Sequence, residues 1–217
     1  MSSSTTAPTS STAAANAAVV DNFWELTLVN AANPLPEDFK VSTCEISGYD
    51  KRTFDARAAC ALEALLSDAK RADNNLYLVS AYRSIAKQKA LFERKTAFYK
   101  KQGLSQNDAE RAASAWVARP GTSEHNLGLA ADIVSENWYS HHNDLTAEFD
   151  KTKEYDWLAA HAQDYGFILR YPKGKESITG ISYEPWHYRY VGINAAKKIK
   201  SESLTLEEYK EKLQQNL

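Results

Sequence analysis

Two imidazoles, two carboxylates and a guanidinium occur in this chain at spacings that suit one another. His125 and Asp132 share the stretch Ser123-Glu124-His125-Asn126-Leu127-Gly128-Leu129-Ala130-Ala131-Asp132. Glu184 and His187 share Glu184-Pro185-Trp186-His187, and Tyr82-Arg83 lies upstream of both. A catalytic zinc usually takes three protein ligands from His, Asp, Glu or Cys and leaves a further position to water. His125, Asp132 and His187 offer that set, and Glu184 is left over. The remainder is what hydrolysis needs. Zinc lowers the pKa of its bound water towards about 7, and a nearby carboxylate takes the proton as water attacks a carbonyl and passes it to the leaving amine. Glu184 is the candidate base.

The elements that must position these groups are not the single helix of a His-Glu-x-x-His site, where one turn presents both imidazoles. Pro185 lacks a backbone donor and biases Glu184 towards an extended conformation. Residues three apart in a regular strand face opposite sides, so the chain must turn or bulge at Pro185-Trp186 for Glu184 and His187 to face one metal. Around the first motif, alternation puts Gly128, Ala130 and Asp132 on one strand face and Leu129, Ala131 and Ile133 on the other. Asp132 then looks across a small-residue floor into a cleft, with the apolar face on the core.

Each residue also has an ordinary structural reading. A lone histidine in a loop is more often a surface or hydrogen-bonded group than a ligand, and His187 between Trp186 and Tyr188 fits an aromatic core. Asp132 is harder to dismiss, because a buried carboxylate is costly unless paired or bound to metal. Taken jointly with Glu184 and Arg83, the set favours chemistry. His141 and His142 lie beside Asn143 and Asp144 and read as solvated loop, and His161 has no supporting partners.

The stretches Ser80-Ala81-Tyr82-Arg83-Ser84, Pro120 to Ile133, Gly166 to Lys175 and Tyr183 to Gly192 resemble the D-alanyl-D-alanine carboxypeptidase family of zinc peptidases. That family includes the vancomycin-resistance carboxypeptidases and the L,D-carboxypeptidases that trim peptidoglycan stem peptides, and it is related to the D-Ala-D-Ala dipeptidases. The likeness runs from about Asn33 to about Lys198, with Ser-x-His-x6-Asp and Glu-x-Trp-His as its specific motifs. It implies Zn2+ on His125, Asp132 and His187, Glu184 as base, and contacts from Arg83, Gln88 and Ser123 to the terminal D-alanine or the reacting carbonyl.

Chemistry supports those roles independently. A carboxypeptidase must recognise a free carboxylate, and a planar guanidinium fork holds one through two charge-assisted hydrogen bonds. Arg83 is equally suited to stabilising a tetrahedral oxyanion, and the sequence leaves both tasks open. Gln88, five residues on, could add an amide donor to the same anion. Ser123 reaches the cleft if the chain is extended before His125. The expected substrate is a peptidoglycan stem peptide, with D,D and L,D specificity both open. Tyr171, Trp138, Tyr139 and Tyr188 are candidate pocket walls, and ordinary aromatic packing explains each equally well. The competing functions are a D-Ala-D-Ala dipeptidase and a zinc-containing wall-binding module without catalysis. The presence of Glu184 argues against the module.

The chain has 217 residues, 43% of them hydrophobic, enough for one sizeable core. A formal charge of −2 gives no reason to expect nucleic acid as partner. The cluster Lys197, Lys198 and Lys200 is followed by acids and reads as solvated helix surface. Residues 1–20 are rich in Ser, Thr and Ala and read as a tail or linker, with the zinc peptidase domain over 21–217. The start lacks the basic and apolar pattern of a secretory signal, and no segment approaches the roughly 18 apolar residues that span a membrane. A cytoplasmic protein and an extracellular or cell-envelope enzyme whose signal or anchor is absent both fit. The resemblance favours the envelope, and a monomer is expected.

Helical spacing of Ala58, Ala61, Leu62, Leu65, Leu66 and Ala69 predicts a helix from Asp55 to Ala72. Cys60 falls nearly opposite that stripe, and Cys44 is its sole intrachain partner, so the sequence leaves a disulfide open. Strands are expected at Trp24–Val29, Leu76–Ser80, Phe167–Arg170 and Trp186–Val191. Further helices are expected at Ile85–Lys101, Gln106–Val117 after the N-cap Ser105, Lys153–Tyr165 up to Gly166, Asn194–Ser201 and Leu206–Gln215. Scattered strands and clustered helices predict an α+β fold, a small mainly antiparallel sheet flanked by helices.

Overall fold

The computed structural model describes residues 23–142 and 144–215. The expected tail over 1–20 lies outside the described residues. An antiparallel pair, β1 (Thr43–Ile46) and β2 (Tyr49–Asp55), precedes helix α1 (Ala59–Arg71). Strand β3 (Leu76–Ser80) leads through Arg83 into α2 (Ile85–Lys101), which α3 (Gln106–Ser114) follows. A one-turn helix α4 (Glu124–Leu127) enters strand β4 (Ala130–Ser135), and α5 (Glu136–His141) follows directly. After α6 (Lys153–His161) come β5 (Phe167–Leu169), the short α7 (Glu176–Thr179), β6 (His187–Tyr190), α8 (Ile193–Ser201) and α9 (Leu206–Gln215). The main sheet has the order β3-β4-β6-β5 with every neighbour antiparallel, which is the α+β architecture expected from the sequence.

One face of this sheet is the core face. Leu76, Leu78, Ala131, Ile133, Phe167 and Tyr188 bury together with Leu62, Leu65, Leu66 and Ala69 of α1. Each of these large side chains removes enough apolar surface from water to contribute about 1.5–3 kcal/mol, so the α1 stripe docks firmly. A smaller core joins Leu26, Ile168 and Val191 to Ala195, Ala196 and Ile199 of α8 and Leu206 of α9. The opposite face of β4 and β6 carries Asp132 and His187, which are directly paired across the strands.

Three sequence expectations change. Trp24–Val29 is not a strand: Trp24–Leu26 form a 3-10 turn, and the Glu25 and Thr27 carbonyls accept bonds from Arg189 at 2.9 and 2.8 Å. Alternation looked like a strand, but a buried guanidinium takes the backbone bonds a neighbouring strand would have made. The helix expected from Asp55 starts at Ala59, because Asp55 still pairs with Thr43 in β2 and its carboxylate caps the turn through Arg57 N–H. Gly128 is not in the strand that carries Asp132; it ends α4 in the left-handed region at φ 86°. An added Cβ would make only ordinary contact with Val41 and Asp55, so it is the left-handed backbone that favours glycine here.

Ser105 caps α3 as expected, accepting from Asp108 N–H at 3.2 Å. Cys44 and Cys60 are exposed and unbonded. His141 and His142 are exposed, as expected; His141 closes α5, and the His142 ring stacks on Trp138 with centroids 3.9 Å apart. No helix among the described residues is long and apolar enough to cross a membrane.

Gly166 joins the two cores. It sits at φ 85°, and an added Cβ would lie 2.8 Å from a Tyr190 ring carbon and 3.0 Å from the Gly192 carbonyl carbon. Gly166→Ala is therefore expected to lower unfolding free energy by more than about 1 kcal/mol, read from urea denaturation. An unchanged midpoint and slope would show that this junction yields freely.

Candidate active site

Sheet register assembles the centre of the site. Asp132 on β4 pairs with His187 on β6 and with Ser80 on β3, so the three side chains share one face in a row. His125 arrives from α4, whose position is fixed by the Arg83 N–H donating to the His125 carbonyl at 2.9 Å. His125, Asp132 and His187 each bring a ligand atom to within 4.8 Å of the others, and all three residues are buried. The His125 Nε2 to Asp132 Oδ2 distance is 3.1 Å, and His187 Nδ1 to Asp132 Oδ1 is 3.2 Å.

Protonation states can be read from the partners. His125 Nδ1 lies 2.7 Å from the Ala81 carbonyl, which can only accept, so Nδ1 carries a proton and Nε2 turns a lone pair inward. Burial pulls the His125 pKa down, towards the neutral form that a metal requires. Burial opposes the charged form of Asp132 too, but His125 and His187 hold its carboxyl well below the usual carboxylate range. Asp132 Oδ1 is nevertheless buried without a hydrogen-bond partner. A buried carboxylate whose two oxygens each face one ring nitrogen, in a His, Asp, His donor set, fits a divalent cation such as zinc.

The other residues singled out in the sequence surround this centre. A turn closed by His187 N–H to the Glu184 carbonyl, 3.2 Å, brings the Glu184 carboxylate to 3.4 Å from His187 Nδ1. Burial first, then the negative charges of Asp132 and Glu124, push the Glu184 pKa up to about 7 against the pull of His187. Arg83 is pinned by two bonds of 2.9 Å, from Nη1 to Gln88 Oε1 and from Nη2 to Ser80 Oγ. Gln88 is buried and donates its amide to the Ala118 carbonyl at 2.7 Å, so it acts here as a brace for Arg83. Ser123 is extended at the N-cap of α4, buried, and its hydroxyl makes no capping bond.

Of the four candidate wall residues, Tyr171 touches the site, with its ring 4.8 Å from that of His187. Trp138 and Tyr188 pack in the core, and Tyr139 stacks on Tyr77 at 4.1 Å.

Glu124 is the residue the sequence reading passed over. Its carboxylate is fully buried, and Oε1 accepts from Arg170 Nε and Arg189 Nη1, both at 2.8 Å. Its Oε2 lies 3.6 Å from His187 Nε2, the ring nitrogen turned away from Asp132. Burial works against its charge, but the two guanidinium groups hold its carboxyl well below the usual range. The available signal was its place between two cleft residues, Ser123 and His125, but only the fold shows which cations meet it.

The family model described as VanY, D-alanyl-D-alanine carboxypeptidase, matches residues 51–193, the segment that holds every residue of this site. The chain belongs to the VanY family. A curated relative, a D-alanyl-D-alanine carboxypeptidase of Enterococcus faecalis (strain ATCC 700802 / V583), is 44% identical over 187 residues. That match covers 86% of this chain and 65% of the relative, so the chain spans under two thirds of that protein. Among solved structures, a variant of the vancomycin-resistance D,D-pentapeptidase VanY in complex with Zn(II) aligns with TM-score 0.72 and 42% identity. It covers 86% of this chain and 98% of that one. The LdcB L,D-carboxypeptidase aligns with TM-score 0.71 and 40% identity over 85% of each chain.

If His125, Asp132 and His187 bind zinc, metal at about 100 times its Kd should stabilise the fold by about 2.7 kcal/mol, and chelator should reverse the gain. Asp132→Asn should lose most of that gain. Thermal unfolding with and without zinc checks both, and an equal zinc response in the variant would remove Asp132 from the set.

Proposed function

We propose that this chain is a zinc-dependent carboxypeptidase that removes the C-terminal D-alanine from peptidoglycan stem peptides, with D,D or L,D specificity. The observation that carries this reading is the meeting of His125, Asp132 and His187 with a carboxylate of raised pKa and a braced guanidinium. His125 Nε2, a carboxylate oxygen of Asp132 and His187 Nδ1 would hold the zinc. When bound, zinc would polarise the scissile carbonyl and make water a stronger acid.

The chain's own groups do the rest. Glu184, 3.4 Å from His187 and only partly exposed, takes the proton of the attacking water and returns it to the amine of the leaving D-alanine. Arg83 presents its remaining N–H groups to the terminal carboxylate, held in place by Gln88 and Ser80. Ser123 adds a neutral hydroxyl donor at the mouth of α4. Stem peptides lie outside the cytoplasmic membrane, so the proposed substrate places the enzyme in the cell envelope or outside the cell.

Mass spectrometry of defined stems with and without chelator tests the activity. Loss of one alanine from the pentapeptide alone assigns D,D activity, and loss from the tetrapeptide alone assigns L,D activity. Zinc-loaded protein that cleaves neither would sink the proposal. Glu184→Gln is expected to keep zinc and lose about 10²–10⁴-fold in kcat; full turnover would exclude it as base. Arg83→Lys should raise KM for the free acid and erode its preference over the C-terminal amide. A fall in kcat with KM unchanged would move Arg83 from the carboxylate to the oxyanion.

A further inference from the structure

Behind the metal ligands lies a chain of buried charges that the hydrolytic mechanism does not use. Glu124 Oε1 is shared by Arg170 and Arg189 at 2.8 Å each. Arg170 turns its two terminal nitrogens to Glu207 of α9, Nη1 to Oε2 at 2.9 Å and Nη2 to Oε1 at 2.6 Å. Arg189 spends its other donors on the carbonyls of Glu25, Thr27 and Tyr190 at 2.8–2.9 Å. The side chains of Glu124, Arg170 and Arg189 have no exposed surface, and that of Glu207 is 12% exposed.

Such a cluster is a poor device for stability alone. Each buried ion costs several kcal/mol in lost hydration, and well-packed apolar residues of similar volume often serve the fold equally well. What a carboxylate supplies and an apolar group does not is an acceptor for an imidazole N–H. Glu124 Oε2 and His187 Nε2 face each other at 3.6 Å, just beyond hydrogen-bond reach, and each is buried without a hydrogen-bond partner. The opposite ring nitrogen, Nδ1, faces Asp132 and Glu184. For Nδ1 to offer a lone pair to a metal, the proton must sit on Nε2, on the side of Glu124. Metal-binding histidines commonly have their second ring nitrogen fixed in this way by a carboxylate.

We infer that Glu124 is a positioning residue that fixes the ring and tautomer of His187 for zinc, and that Arg170 and Glu207 extend this support to the C-terminal helix α9. On this account α9, on the smaller core, helps to set metal affinity through two ion pairs. The inference rests on the zinc reading given above, and the two fail separately.

Zinc affinity is measured by competition with a chromophoric chelator, and stability of the metal-free protein by thermal unfolding. Glu124→Gln is isosteric and keeps an oxygen for the arginines, but it places an amide donor before an N–H or removes the charge that holds it. It should weaken zinc binding about 10–100-fold. Glu207→Gln, at the partly exposed end of the chain of charges, should weaken it less, by a few-fold, as expected for a more distant support. Zinc affinity of Glu124→Gln within twofold of the parent, whatever the loss in metal-free stability, would make Glu124 purely structural and overturn the inference. If Glu124→Gln does not fold, the parent protein decides: ¹⁵N shifts of the zinc-loaded His187 ring should show the proton on Nε2. A proton on Nδ1 would overturn the proposal. A parent protein that binds no zinc overturns both the zinc reading and this one, whereas normal parent affinity with an unaffected variant overturns only this one.

Discussion

Everything in this structure is arranged around the cost of keeping Asp132 ionised in the interior of a sheet. A carboxylate on the second strand of four, buried on both sides of its backbone, must meet positive charge or hydrogen-bond donors to stay there. Antiparallel register answers that need, setting His187 opposite it on one neighbour and Ser80 opposite it on the other. His125 and Arg83 come from segments whose backbones are bonded to each other. The site is therefore a property of strand pairing as much as of the residues themselves.

The two faces of β4 show how one strand serves both stability and chemistry. Ala131 and Ile133 point into the main core, so any slip of one residue would bury Asp132 among α1 leucines and expose those side chains to the cleft. The hydrophobic effect thus enforces the alignment on which the meeting of Asp132 and His187 depends. No separate device is needed to keep Asp132 opposite His187.

Much of this was legible in the sequence. The spacing of His125, Asp132, Glu184 and His187 already named the central residues, and Pro185 required the turn that the structure contains. Periodicity recovered α1 apart from its start, along with α2, β3 and the late helices, because their apolar stripes are regular. What escaped has a common cause. β1 and β2 are mostly polar strands that bury Ile46, Phe54 and Asp55 only at their ends, so alternation had little to register. Trp24–Val29 did alternate, yet its carbonyls answer a guanidinium 160-odd residues away. Glu124 was hidden for the same reason: its partners, Arg170, Arg189 and His187, are distant in sequence, and no local pattern announces an ion cluster assembled by tertiary structure.

The Glu184–His187 turn has a consequence for how such a site can vary. The His187 imidazole and the Glu184 carboxylate belong to one four-residue segment closed by its own backbone bond, so their separation is set largely by local geometry. Shifts in the surrounding helices carry the pair along as a unit. The spacing between Glu184 and His187 is thereby inherited with the segment itself, whatever changes elsewhere around the cleft.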